Sequence, residues 1–133
     1  DSDKIKVIND FESLYQDILS LKNEKVIRSN IEIIKQELKE KGLDSFSIKD
    51  YEHSEYYFNK LVMLDSFNSE NLYYLGLNYF YLNKYDDAIN SFGNCLELGV
   101  FTYDLCMFLA KALELSGDIE TAKEYYDKSL ELK

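Results

Sequence analysis

Leu72-Tyr73-Tyr74-Leu75-Gly76-Leu77-Asn78-Tyr79, with Ala88 and Phe92 following, is the stretch on which the fold turns. Leu72, Leu75, Gly76 and Tyr79 fall at i, i+3, i+4 and i+7, one face of an α-helix. A glycine inside a helix costs about 1 kcal/mol relative to alanine, so Gly76 implies a compensating close approach by a second helix. Ala88 and Cys95 are the small residues expected opposite it. The pattern predicts a first helix from Ser69 to about Leu82, a turn at Asn83-Lys84, and a second helix from about Tyr85 to Leu98, with Gly99 as its stop.

The same unit recurs. Sliding the sequence forward so that Leu75-Gly76 lies on Leu109-Ala110 also lays Ala88 on Ala122, Phe92 on Tyr126, Cys95 on Ser129 and Leu96-Glu97-Leu98 on Leu130-Glu131-Leu132. That displacement is the repeat period. In the later copy Gly117 suits a positive φ and Asp118 suits a cap, so Ser116-Gly117-Asp118 is the turn. Shifting the other way by one period, Tyr85, Ala88, Phe92 and Leu98 land on Tyr51, Ser54, Phe58 and Leu64 before the match dissolves. The expected organisation is an amphipathic helical segment over 1–46, a half copy over 47–68, and full copies over 69–102 and 103–133. Ser47-Ile48-Lys49-Asp50 reads as a capping box opening the helix of the half copy.

Residues 1–46 carry two apolar stripes, Ile8, Phe11, Tyr15, Ile18 and then Ile27, Ile31, Ile34, Leu38, with Gly42 ending the second. They fit one long helix or a hairpin. The hairpin is preferred, turning within 20–30 with Asn23 or Ser29 as cap. Segment 30–41 would then serve as the first helix of the half copy, joined by a loop at 42–47.

Composition agrees with an all-α protein and removes several functions. There are 46% apolar residues, 12 Tyr and 8 Phe, so a sizeable core is expected from 133 residues. No Pro and five Gly suit long helices and not the tight turns of an all-β fold. A net charge of −10 opposes binding to nucleic acid or an anionic membrane, and no apolar run is long enough to span a bilayer. Cys95 and Cys106 fit neither a zinc site nor a redox pair and read as small buried hydrophobes. A start at Asp1, one arginine (Arg28) and abundant Asn, Ile and Tyr point to a processed or truncated bacterial protein, of the cell envelope or alternatively the cytoplasm.

Reactive constellations are missing from the sequence. His53, the one histidine, lies beside Glu52 and Glu55 and reads as an exposed helix residue. No phosphate loop, H-E-x-x-H or nucleophile elbow occurs. Asp65-Ser66-Phe67-Asn68-Ser69-Glu70 lacks the Gly and distal Glu of a calcium loop and reads as a turn capped by Asn68 or Ser69. Asp86-Asp87 suits the first turn of a helix. No catalytic residue, metal or cofactor is expected.

The run 72–79, then Ala88 and Phe92, resembles the tetratricopeptide repeat pattern W-x-x-L-G-x-x-Y, A, F, and Gly117–Leu132 resembles that family's second helix. Leu72 and Cys106 replace its Trp, and Ser66 and Val100 its closing Pro. The resemblance implies a short tetratricopeptide solenoid whose first helices line a concave groove. The wall so implied comprises Tyr73, Tyr74, Leu77, Phe80 and Tyr81 from one copy and Met107, Phe108, Lys111 and Glu114 from the next. Such a wall suits an apolar peptide or helix of a protein partner. It does not suit acidic chaperone tails, because Tyr73, Leu77, Met107 and Phe108 stand where family members holding those tails place cations. Three alternatives stay open: residues 1–46 fill the groove, the face near Tyr125 and Leu130 makes a homodimer, or the array regulates a larger protein.

Overall fold

A computed structural model describes residues 2–20 and 24–133. Among them are seven α-helices and no strand: α1 (Ser2–Ser20), α2 (Glu24–Ser47), α3 (Tyr51–Leu64), α4 (Ser69–Tyr81), α5 (Tyr85–Glu97), α6 (Tyr103–Ser116) and α7 (Ile119–Leu132). They fall into two compact units divided between Glu37 and Leu38. In the first, Ile18 and Ile34 are buried. Of the turn expected there, Leu21, Lys22 and Asn23 lie outside the described residues, and Ser29 is inside α2 and caps nothing.

The second unit is a run of helical hairpins whose turns keep the repeat period. Lys49, Asn83 and Gly117 adopt positive φ of 62°, 63° and 103°, each reversing the chain between two helices. Side-chain caps start α3, α4, α6 and α7. Asp50 accepts from the His53 amide, Asn68 from Asn71, Thr102 from Leu105 and Asp118 from Thr121. Gly99, at φ 87°, follows the end of α5 as expected. The cap assigned to Ser47 is corrected: Ser47 ends α2, its hydroxyl donating to the Asp44 carbonyl at 2.7 Å, and Asp50 is the cap of α3.

Gly42 is also corrected. It lies inside α2, and a Cβ there would sit 2.7 Å from the Phe58 ring, as one at Gly76 would sit 2.6 Å from the Phe92 ring. Gly42–Phe58 and Gly76–Phe92 are the same pair one period apart. What Gly76 makes room for is thus the Phe92 ring, and not the small faces of Ala88 and Cys95. No loop occupies 42–47; α2 from Leu38 onward is the first helix of a hairpin completed by α3.

Both rings are fully buried. Leucine at Gly42 or Gly76 must therefore displace a ring that has nowhere to go, and each substitution is expected to destabilise by about 1–3 kcal/mol in urea titrations. Helix propensity alone would give the opposite sign, a gain of nearly 1 kcal/mol.

Around the Phe92 ring Leu72, Leu77, Ala88, Leu105, Leu109 and Ala122 form one buried cluster. Cys95 and Cys106 are free and buried, and burial raises both thiols, Cys95 to about 11. A polar thread crosses the first two hairpins. Asn78 Nδ2 donates to Ser54 Oγ at 2.8 Å, and Ser54 Oγ donates to the Gly42 carbonyl at 2.9 Å. Ser54 stands where the later copies have Ala88 and Ala122, and the hydroxyl ties α2, α3 and α4 together.

Candidate peptide-binding groove

α4 and α6 supply every residue expected on the groove wall, and the structure sorts them by depth. Leu77 is 6% exposed and belongs to the core cluster, so its assignment to the wall is corrected: it is a core residue. Tyr73 and Tyr74 are half-buried. Tyr73 leans on Phe92 at 5.9 Å between ring centroids, and Tyr74 stacks on Phe58 at 5.1 Å and 12°. Met107 is half-buried, its sulfur 3.3 Å from the Ser129 hydroxyl, which donates to the Tyr126 carbonyl at 2.6 Å. Phe80 and Phe108 are half-buried, while Tyr81 is 43% exposed; Lys111 and Glu114 are exposed.

The rings are held by one another. Tyr81 stacks on Tyr51 at 4.7 Å and 18°, meets Phe80 edge-on at 5.4 Å and reaches Phe108 at 6.2 Å. Phe80 meets Phe108 edge-on at 5.4 Å, and Lys111 Nζ lies 5.4 Å from the Phe108 ring centre. Phe46 closes the series, edge-on to Tyr74 at 5.2 Å and to Tyr51 at 5.6 Å. Phe46 and Tyr51 were not among the expected wall residues. The signal was present: Phe46 lies one repeat period before Phe80, and Tyr51 one period before Tyr85. Phe46 also shows that the end of the segment 1–46 is part of this ring series.

Towards the N-terminal ends of α4 and α6 the wall opens into a cavity of about 270 Å³ lined by Ser69, Glu70, Tyr73, Val100, Thr102 and Asp104. Its charge is acidic. Burial first, then the Asp104 carboxylate and neighbouring rings, push the Tyr73 hydroxyl up to about 12. Because the folded state raises this group above its ordinary value of about 10, the neutral phenol contributes stability that is complete below that pH and lost as pH rises through about 12. Tyr73→Phe is expected to make the fall in unfolding free energy between about pH 10 and pH 12 shallower, measured by urea titration at successive pH values.

His53 is half-buried, with Nδ1 2.9 Å from Asp50 Oδ1 at the start of α3. Among the described residues no group of three or more His, Cys, Asp or Glu could hold a metal, and no helix is long and apolar enough to cross a membrane.

Helical hairpins recurring at a constant period, with a ring filling the glycine notch of the paired helix, define a helical repeat protein. Residues 69–99 and 103–133 each match the tetratricopeptide repeat, so the chain carries two repeats of that family. No curated protein matches it. Among solved structures it is similar in fold to MamA of MSR-1, at 21% identity and a TM-score of 0.69 over 81% of this chain and 66% of that one. It is similar also to PcrH, solved in complex with the chaperone binding region of PopD, at 18% identity and 0.69 over 73% of each chain. A third is the Yersinia enterocolitica type III secretion translocator chaperone SycD, at 20% identity and 0.69 over 80% of each. The chain thus spans just under two thirds of the length of the MamA structure.

Proposed function

We propose that the chain is a non-enzymatic protein-interaction adaptor that binds a segment of one partner along α4 and α6. The observation that carries this reading is Tyr81, a large ring left 43% exposed although stacking on Tyr51 fixes its place. Phe80, Phe108 and Met107 extend the apolar surface, Tyr73 and Tyr74 form its half-buried floor, and Lys111 and Glu114 stand at its edge to set register. PcrH, with the same fold, holds a segment of PopD, which supports a peptide as the class of ligand. We also assign the hairpin of α2 and α3 as a further tetratricopeptide unit, making three over 38–133.

Amide chemical shifts of the full chain, titrated with peptides selected on it from a random library, test the adaptor reading. The expected shifts follow α4 and α6 and saturate at one peptide per chain. Shifts confined to the far side of α7 would reject the groove. Ile119 and Leu130, 58% and 66% exposed on α7, favour a second reading, self-association through that helix. Light scattering over a range of concentrations separates the two.

A further inference from the structure

The two ends of the acidic cavity are not equivalent, and the repeat period shows why. Lys39 Nζ lies 2.7 Å from Glu70 Oε1, joining the first helix of one hairpin to the first helix of the next. A shift of one period turns Lys39 into Tyr73 and Glu70 into Asp104. The second carboxylate therefore meets a neutral ring where the first meets an ammonium. No cation among the described residues pairs with Asp104. The space beside it is the cavity of about 270 Å³, whose lining includes the apolar Tyr73 and Val100 together with Thr102 and Asp104.

From this we propose that the cavity between α4 and α6 is the seat of a lysine or arginine side chain of the bound partner segment. The cationic tip would meet Asp104 as the Lys39 ammonium meets Glu70, with its methylene stem against Tyr73 and Val100. Glu70 already has its cation, so one seat is open, next to the rings that take the apolar part of the segment. The net charge of −10 acts in the same direction, drawing a basic segment to the chain. This inference rests on the adaptor reading and adds a sequence requirement to it: a basic residue at a fixed distance from an apolar anchor.

The test uses the full chain and dodecapeptides selected on it by phage display, then synthesised with blocked ends and measured by fluorescence anisotropy. The selected peptides are expected to share a Lys or Arg at constant spacing from an aromatic or aliphatic residue. Alanine at that basic position should weaken binding roughly five- to tenfold at low salt, and less at high salt. Asp104→Asn should weaken the parent peptide by a similar factor and the alanine peptide hardly at all, the coupling that marks direct contact. Asp127→Asn, on the exposed side of α7, is the control that leaves both unchanged. Peptides that lose binding on Tyr81→Ala but show no basic preference, or no coupling to Asp104, overturn the seat and leave the groove standing. Peptides indifferent to Tyr81→Ala, or no enrichment at all, overturn both.

Discussion

Phe92→Ala is expected to lower the unfolding free energy by about 3–5 kcal/mol, and Phe58→Ala by a comparable amount. Each ring is fully buried, fills a notch left by a glycine and touches rings of the proposed wall, Phe92 against Tyr73 and Phe108, Phe58 against Tyr74. Truncation leaves a hole in a packed core that the surrounding helices close only in part. The pair is informative because their surroundings differ in origin. Phe92 lies within a matched repeat, whereas Phe58 lies before the first match at residue 69. In a repeat array stability is close to a sum of unit and nearest-neighbour terms, so an equal loss at Phe58 means that the hairpin of α2 and α3 is a full member of the array. Urea titrations followed by far-ultraviolet circular dichroism and by tyrosine fluorescence should shift together with unchanged slope. A loss under about 1 kcal/mol for Phe58→Ala, beside a large one for Phe92→Ala, would show that the first hairpin is only loosely packed.

The legibility of this fold in the amino-acid sequence was uneven for physical reasons. From Ser69 onward, period, turns and caps were readable because a glycine or small residue, a ring sixteen positions later and a turn residue recur together. Upstream the same signal was present but misassigned. Gly42 precedes Phe58 by the interval that separates Gly76 from Phe92, and Leu38 precedes Leu72 by one period, yet a glycine near the end of a polar stretch reads equally well as a helix stop. Only the Phe58 ring against its backbone separates the two meanings. Lys49 hid a second signal: it takes the positive φ of Asn83 and Gly117, and its residue type gives no hint of it. On the proposed groove, periodicity placed Tyr81, Phe80 and Phe108 on one flank but could not separate Leu77, which shares that flank and is buried in the core cluster. Helical angle fixes a direction; depth depends on the neighbouring copy.

Alanine at both Tyr81 and Met107 should weaken binding of a groove-selected peptide by more than about 2 kcal/mol while leaving helicity intact. The reason is the order already present in the unbound wall. Tyr81 is clamped face to face by Tyr51 and edge to face by Phe80, so a partner docking on it need not arrest a free side chain. Met107 lies on α6, its sulfur 3.3 Å from the Ser129 hydroxyl, and adapts its shape at small loss. Neither side chain is fully buried, which keeps the expected stability change small beside that of Phe92→Ala. Tyr51→Ala separates order from contact area, because it removes the face on which Tyr81 stacks. It should raise the dissociation constant chiefly through faster dissociation, measurable by stopped-flow mixing. If the Tyr81 and Met107 double variant binds as tightly as the parent, the peptide lies elsewhere, and the exposed outer face of α7 becomes the surface to search.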